Sequence, residues 1–281
     1  MATSDEIKAT QRSVWGGVAG GWDKWYEELE RHSRPINEWL CRAAKLSPGM
    51  RLLDLACGSG QPALSAALLV RPGGSVVATD IAPEMVDVTR RKAQAAGVDN
   101  LEARVMDMEE IDFPDASFDA VTCRWGFMFP PDPVKAMAES RRVLRPGGRL
   151  VAAVWDVPAR NPWLSNIPQA VNQVQPAPPA DPDAPGPFRL AEAGRLETLL
   201  RQAGFASVEV EQLPFVHVFD SLEAWWSYSV ELAAPIRARF LALGAADRER
   251  AKQIAFAAAE KSRSDGEYRL AAANLCAVAQ K

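Results

Sequence analysis

A doubly wound α/β fold with a mostly parallel sheet is what this sequence predicts, and three observations predict it. Short apolar runs alternate with segments of helical spacing through the first half of the chain. The first run, Leu52-Leu53-Asp54-Leu55, ends in a loop of small residues, Ala56-Cys57-Gly58-Ser59-Gly60, and a helix-forming segment follows at once. The next, Val76-Val77-Ala78-Thr79, ends in an acid, Asp80. Strand, tight loop and helix bring backbone N–H groups up to a nucleotide-like ligand, and an acid at the second strand tip is placed to accept from ribose hydroxyls.

In chain order, residues 36–45 have helical spacing, and Ser47-Pro48-Gly49 turns the chain into a strand over 51–55. A helix over 61–70, a turn at Pro72-Gly73-Gly74 and a strand over 75–80 follow. Pro83 suits the first turn of a helix over 83–96, and Gly97 suits its stop. Strands are expected over 101–105, 118–123 and 149–155, with a helix over 133–144 capped by Asp132. Proline density then rises, so residues 157–190 are expected to form a loop. Beyond it come a helix over 191–203, a strand over 206–218, a largely helical stretch over 221–261 and a last strand over 268–278. That last strand is expected to be antiparallel and at the sheet edge, making seven strands. The implied organisation is an N-terminal helical lid (1–45), a core (46–156), the loop (157–190) and a C-terminal half (191–281) with an inserted helical cap.

The net charge of −4 gives no reason to expect nucleic acid or an anionic membrane as partner. Neither a signal peptide nor a membrane-spanning stretch is expected. Cys41, Cys57, Cys123 and Cys276 are scattered, and His32 and His217 are the only histidines, so no metal site and a reducing, cytoplasmic setting are expected.

Five ordered motifs carry a resemblance: Asp54-Leu-Ala-Cys-Gly58-Ser-Gly60, then Asp80, Asp107, Phe118-Asp119-Ala-Val, and Arg142-Val-Leu-Arg-Pro-Gly-Gly-Arg-Leu150. Together, over about residues 46–155, they resemble class I S-adenosylmethionine-dependent methyltransferases, in particular the ubiquinone/menaquinone C-methyltransferase group. The resemblance implies a Rossmann-like fold and S-adenosyl-L-methionine as cofactor. Ala56 departs from the pattern, standing where that family usually has the first glycine of its loop. If that position needs positive φ, alanine adds strain.

The resemblance also implies a site. Asp54 would order the loop or contact the methionine moiety, a local cap for the loop amides being the plainer reading. Ala56, Gly58 and Gly60 would let the backbone approach the cofactor, and Asp80 would hold the ribose unless it only caps the following helix. Ile81 and Met85 would flank the adenine, or simply pack on the sheet, while Asp107 and Met108 would meet its amino edge. In Cys123-Arg124-Trp125-Gly126-Phe127-Met128-Phe129, Arg124 and Trp125 would face the cofactor and Phe127 the acceptor, with one of Phe127 and Phe129 expected in the core. Trp15 and Trp22 would close over the cofactor, and Tyr26, Trp163 and Trp225 would line an acceptor pocket. His32 is a candidate general base, and Arg124 a second catalytic candidate.

The implied function is in-line methyl transfer to a small, apolar or aromatic molecule at carbon, oxygen or sulfur. No Asn/Asp-Pro-Pro-Tyr run follows the fourth strand, which argues against a nucleobase acceptor. A cofactor-binding protein of the same fold that does not methylate is the alternative. A nicotinamide-dependent dehydrogenase is disfavoured by the missing third glycine. The sequence leaves oligomeric state open, with the cap able to contribute to a homodimer.

Overall fold

The computed structural model describes residues 3–178 and 181–281. Three helices come first, α1 (Ser4–Gly16), α2 (Ala19–Lys24) and α3 (Tyr26–Ala43). Next come β1 (Arg51–Leu55), α4 (Ala63–Leu69), β2 (Ser75–Asp80), α5 (Pro83–Ala95), β3 (Leu101–Val105), β4 (Phe118–Arg124), α6 (Pro133–Val143) and β5 (Leu144–Trp155). The chain continues through α7 (Pro162–Val174), α8 (Arg195–Gln202), β6 (Ser207–Phe219), α9 (Leu222–Leu232), α10 (Ala234–Ala242), α11 (Ala245–Ala259), β7 (Arg263–Ser264) and β8 (Glu267–Gln280).

The strands form one sheet in the order β3-β2-β1-β4-β5-β8-β6, with the two-residue β7 paired to β8. Pairs among β1 to β5 are parallel, and β8 is antiparallel to both β5 and β6. The order reverses between β1 and β4, and a crevice at such a switch point is where ligands sit in open α/β sheets. Register brings the tips level, with Leu55 beside both Thr79 and Cys123, and Asp80 beside Val105. Leu52, Leu53, Leu55, Val121 and Val151 are fully buried, as a sheet covered on both faces requires.

Two expectations need correction. The last strand is not at the edge: β8 lies between β5 and β6. Its small apolar run Ala271-Ala-Ala-Asn-Leu-Cys-Ala-Val-Ala279 suits an interior place. β6 exposes Glu209 and Glu211 and contains Pro214, whose missing N–H is tolerated at an edge. The expected loop 157–190 also contains helix α7. Pro162 opens that helix at its first turn, and Pro168 lies inside it. A mid-helix proline costs about 3 kcal/mol. Burying Trp163, Leu164, Ile167 and Val171 offsets that, at roughly 1.5–3 kcal/mol for each large side chain. Met1 and Ala2 of the expected lid, and Pro179 and Ala180 of the expected loop, lie outside the described residues.

Local signals explain most other boundaries. The Asp132 carboxylate accepts from the Lys135 amide at 2.9 Å and starts α6, with Pro133 in the first turn. Ser221 caps α9 in the same way, through the Ala224 amide at 3.1 Å. Helix α3 begins ten residues before the expected start, at Tyr26, because Pro35 is accommodated inside it.

Candidate cofactor and acceptor site

One cavity of about 460 Å³ opens over the tips of the parallel strands. Its floor begins where β1 ends. Ala56 adopts φ +54°, and Gly58 φ +53°. A Cβ at Gly58 would lie 3.3 Å from the Trp22 ring, so the bare backbone forms the cavity wall there. The Gly58 amide donates to Asp80 Oδ2 at 3.0 Å, and the Ala82 amide donates to Oδ1 at 3.0 Å. Asp80 thus fixes the loop after β1 and the start of α5 together. Burial pushes its carboxyl up to about 6.

Asp54 lies beneath this loop, wholly buried. Its Oδ1 accepts from Thr122 Oγ1 at 2.6 Å, and its Oδ2 has no hydrogen-bond partner among the described residues. Burial pushes this carboxyl up to about 7. Gly60 is a turn residue with φ +115°, and its amide donates to the Cys57 carbonyl at 2.8 Å. A Cβ there would meet Leu64 at 2.8 Å.

The loop after β4 supplies the opposite wall. Trp125 has φ +60°, unusual for a bulky side chain. It is held on three sides: its amide donates to the Ala153 carbonyl at 2.8 Å, its Nε1 donates to Asn274 Oδ1 at 3.2 Å, and its ring stacks on Trp155 at 4.4 Å. Arg124 donates to Ser33 Oγ at 2.8 Å and Asn37 Oδ1 at 2.9 Å, and lies 3.5 Å from Glu30. The guanidinium is buried and faces the cavity edge from inside this network.

Helices α1 and α2 form the roof, contributing Lys8, Gln11, Trp15 and Trp22 to the lining. Lys8 bridges Asp107 at 2.6 Å and Glu109 at 2.9 Å. Trp22 Nε1 donates to the Leu232 carbonyl at 3.1 Å, joining the roof to α9.

Twelve residues singled out in the sequence line this cavity: Trp15, Trp22, Ala56, Gly58, Asp80, Ile81, Met85, Asp107, Met108, Arg124, Trp125 and Trp163. Others are placed elsewhere. Phe127 is fully buried in the core, whereas Phe129 lines the cavity, because the turn after Trp125 reverses which ring points inward. Trp225 is also fully buried and donates from Nε1 to the Trp163 carbonyl at 2.9 Å, so it supports the wall from behind. Tyr26 lies outside the cavity, with its hydroxyl accepting from Gln61 Nε2 at 3.3 Å and Lys92 over its ring. His32 is packed against His217 with ring centroids 4.6 Å apart, and its Nε2 lies 3.0 Å from the Val218 carbonyl, which corrects its reading as a base at the reacting centre.

Sequence reasoning missed several lining residues. Lys8 and Gln11 stand seven and four residues before Trp15 on the same helix, a periodicity that was available. Trp155, Ile236 and Arg239 had no such signal, since only tertiary packing brings residues of β5 and α10 into one lining.

The residues present fit an adenosyl sulfonium. A glycine cradle, a strand-tip carboxylate beside it and a second acid after β3 share the cavity wall with Ile81 and Met85. Residues 53–152 match the methyltransferase domain family. An uncharacterized protein of Mycobacterium tuberculosis is 34% identical over 149 residues, 53% of this chain and 51% of the relative. The demethylmenaquinone methyltransferase of Thermus thermophilus is 44% identical over 128 residues, 43% of this chain and 56% of that enzyme. The chain thus spans about half the length of the curated relatives it matches. The crystal structure of the YcgJ protein of Bacillus subtilis superposes with a TM-score of 0.56 at 19% identity, covering 87% of this chain and 97% of that one, which bears on the fold. Residues 53–152 therefore match a methyltransferase domain, carried on the doubly wound sheet described above.

Proposed function

We propose that this chain transfers the methyl group of S-adenosylmethionine to a small, largely apolar or aromatic acceptor, at carbon, oxygen or sulfur. One observation carries the reading. The lining of a single cavity joins Gly58, Asp80 and Asp107 with the aromatic side chains of Trp155, Trp163 and Phe188. Asp80 would hold the ribose, Asp107 and the backbone beside Met108 the adenine edge, and Ile81 and Met85 its faces.

The cofactor supplies an already activated methyl group. The residues of this chain have to hold the acceptor in line and keep water out. Positioning of that kind supplies up to about 7–11 kcal/mol of a barrier when reacting atoms are held roughly 3–3.5 Å apart. The roof formed by Trp15 and Trp22, tied to α9 through Leu232, suits the exclusion of water. Arg124, fixed by Ser33 and Asn37, is a positioning group in the same lining.

No helix among the described residues is long and apolar enough to cross a membrane. The four cysteines are unpaired and buried, which supports a reducing, cytoplasmic setting as part of this proposal.

Two measurements test the reading. Saturating S-adenosylhomocysteine raises the melting temperature, since a ligand at a hundred times its Kd stabilises by about 2.7 kcal/mol, while NAD does not. Radiolabelled methyl transfer to a library of aromatic and isoprenoid-like molecules then identifies acceptors. A protein that the cofactor product fails to stabilise is not this enzyme.

A further inference from the structure

We propose that Arg239 makes the cavity selective for an amphiphilic acid, an acceptor with an apolar or aromatic body and an anionic group at its outer end. The inference rests on the preceding reading that the aromatic end of the cavity receives the acceptor.

Five charged side chains line the cavity: Lys8, Asp80, Asp107, Arg124 and Arg239. Four are already engaged. Lys8 is bridged to Asp107 and Glu109, Asp80 accepts two backbone amides, and Arg124 is held by Ser33, Asn37 and Glu30. Arg239 alone has no carboxylate partner among the described residues, and its one hydrogen bond runs to the Gln175 carbonyl at 3.2 Å. It is exposed, so the guanidinium stays hydrated at no desolvation cost.

Its position gives the charge a direction. Ile236 and Arg239 are three apart on α10, and both line the cavity. An apolar stripe therefore ends in a cation on one helix face. Both acids of the lining, Asp80 and Asp107, belong to the strand-tip end, where the cofactor is proposed to sit. A body buried against Trp163 and Val171 with its anionic group outward would meet a positive mouth and no carboxylate of the lining. Arginine pairs with carboxylate, sulfonate or phosphate oxygens through two parallel N–H donors, a geometry its single bond to Gln175 leaves open. The competing structural reading is that Arg239 only ties α10 to the last turn of α7.

Two fluorescent probes with one ring system separate these readings. 8-Anilinonaphthalene-1-sulfonate is anionic, and N-phenyl-1-naphthylamine is neutral. Both are titrated into the full chain saturated with S-adenosylhomocysteine, as wild type, Arg239→Gln and Arg239→Lys. The expected result is that Arg239→Gln weakens the sulfonate probe about ten-fold, the scale of one charge-assisted hydrogen bond. The neutral probe is unchanged, and Arg239→Lys restores most of the loss. Equal weakening of both probes, or no change in either, overturns the proposal and leaves the methyltransferase reading standing. If neither probe binds the wild type while S-adenosylhomocysteine does, the apolar acceptor end itself is wrong. Calorimetric affinity for S-adenosylhomocysteine within two-fold of wild type verifies that each variant is folded.

Discussion

Lys8 Nζ lies 2.6 Å from Asp107 Oδ2 and ties the first helix to the acid that follows β3. The same ammonium reaches Glu109 at 2.9 Å, and Glu109 in turn accepts from the Asp132 amide at 2.7 Å. Helix α1 has no buried residue of its own; this three-way pairing, a bond from Arg12 Nε to the Ile81 carbonyl at 3.3 Å, and the partly buried Val14 and Trp15 hold it over the cavity.

Lys8→Met should therefore loosen α1 while sparing the core. Amide hydrogen exchange over residues 4–16 is expected to speed up several-fold, with little change in the strands. S-adenosylhomocysteine should also dissociate faster, because the roof opens more often. Unaltered exchange over α1 would show that the Arg12 bond and the packing of Val14 and Trp15 secure the helix without Lys8.

Asp80→Ala is expected to weaken cofactor binding by about 1–3 kcal/mol, the usual loss for charged hydrogen bonds. The effect includes the release of the Gly58 and Ala82 amides that the carboxylate now holds. With its carboxyl pushed up to about 6, Asp80 loses its charge as pH falls below that value. Wild-type affinity should decline towards about ten-fold per pH unit there. Titration calorimetry between pH 5 and pH 8 checks both statements, and equal affinity in wild type and variant removes Asp80 from the site.

The histidine pair predicts an acid-sensitive core. Burial holds both His32 and His217 below their ordinary 6.5, and His217 is lowered further by its neighbour His32. Both stay neutral when folded and gain protons when unfolded, so their contribution is present above pH 6.5 and is lost as pH falls below it. The loss is up to about 1.4 kcal/mol per pH unit for each group. Asp54 and Asp80 act in the opposite sense, since their folded values of about 7 and about 6 exceed the ordinary 3.8. Their contribution is fully present below 3.8 and disappears as pH rises through 6 to 7. Comparing urea unfolding of wild type and His217→Leu isolates the histidine part. The variant should show a flatter loss below pH 6.5, and parallel curves would contradict the assignment.

Ala56→Gly is expected to stabilise the protein. An L-residue in the left-handed region costs about 1–2 kcal/mol, and glycine in place of alanine costs roughly 0.5–1 kcal/mol in chain entropy. The net gain is up to about 1.5 kcal/mol, read as a higher urea midpoint. A lower midpoint would mean that Ala56 Cβ contributes packing beside Gly126 which outweighs the strain.

Phe127→Ala tests the correction made by the fold. A fully buried phenylalanine should cost about 3–5 kcal/mol of stability when truncated. Because it lies in the core rather than the cavity wall, affinity for the neutral naphthylamine probe at 15 °C should stay near wild type. A large loss of probe binding in a folded variant would return Phe127 to the acceptor site.

Residues 51–155 were legible because local chemistry dictates their structure. Apolar runs cannot stay in water, Pro83 and Asp132 start helices, and small residues after β1 are needed where the chain turns under a ligand. These signals act over a few residues, so Gly58 and Asp80 could be placed at one sheet rim from spacing, while Asp107 came only from the family resemblance. Where α7 forms, where β8 inserts, and which of Phe127, Phe129 and Trp225 faces the cavity depend on contacts between segments far apart in the chain. Burial against those partners overrides the proline signal at Pro168 and the expected edge position of the last strand. The placement of Arg239 belongs with these, since a cation on α10 acquires its meaning only when folding brings it into one cavity lining with the strand tips.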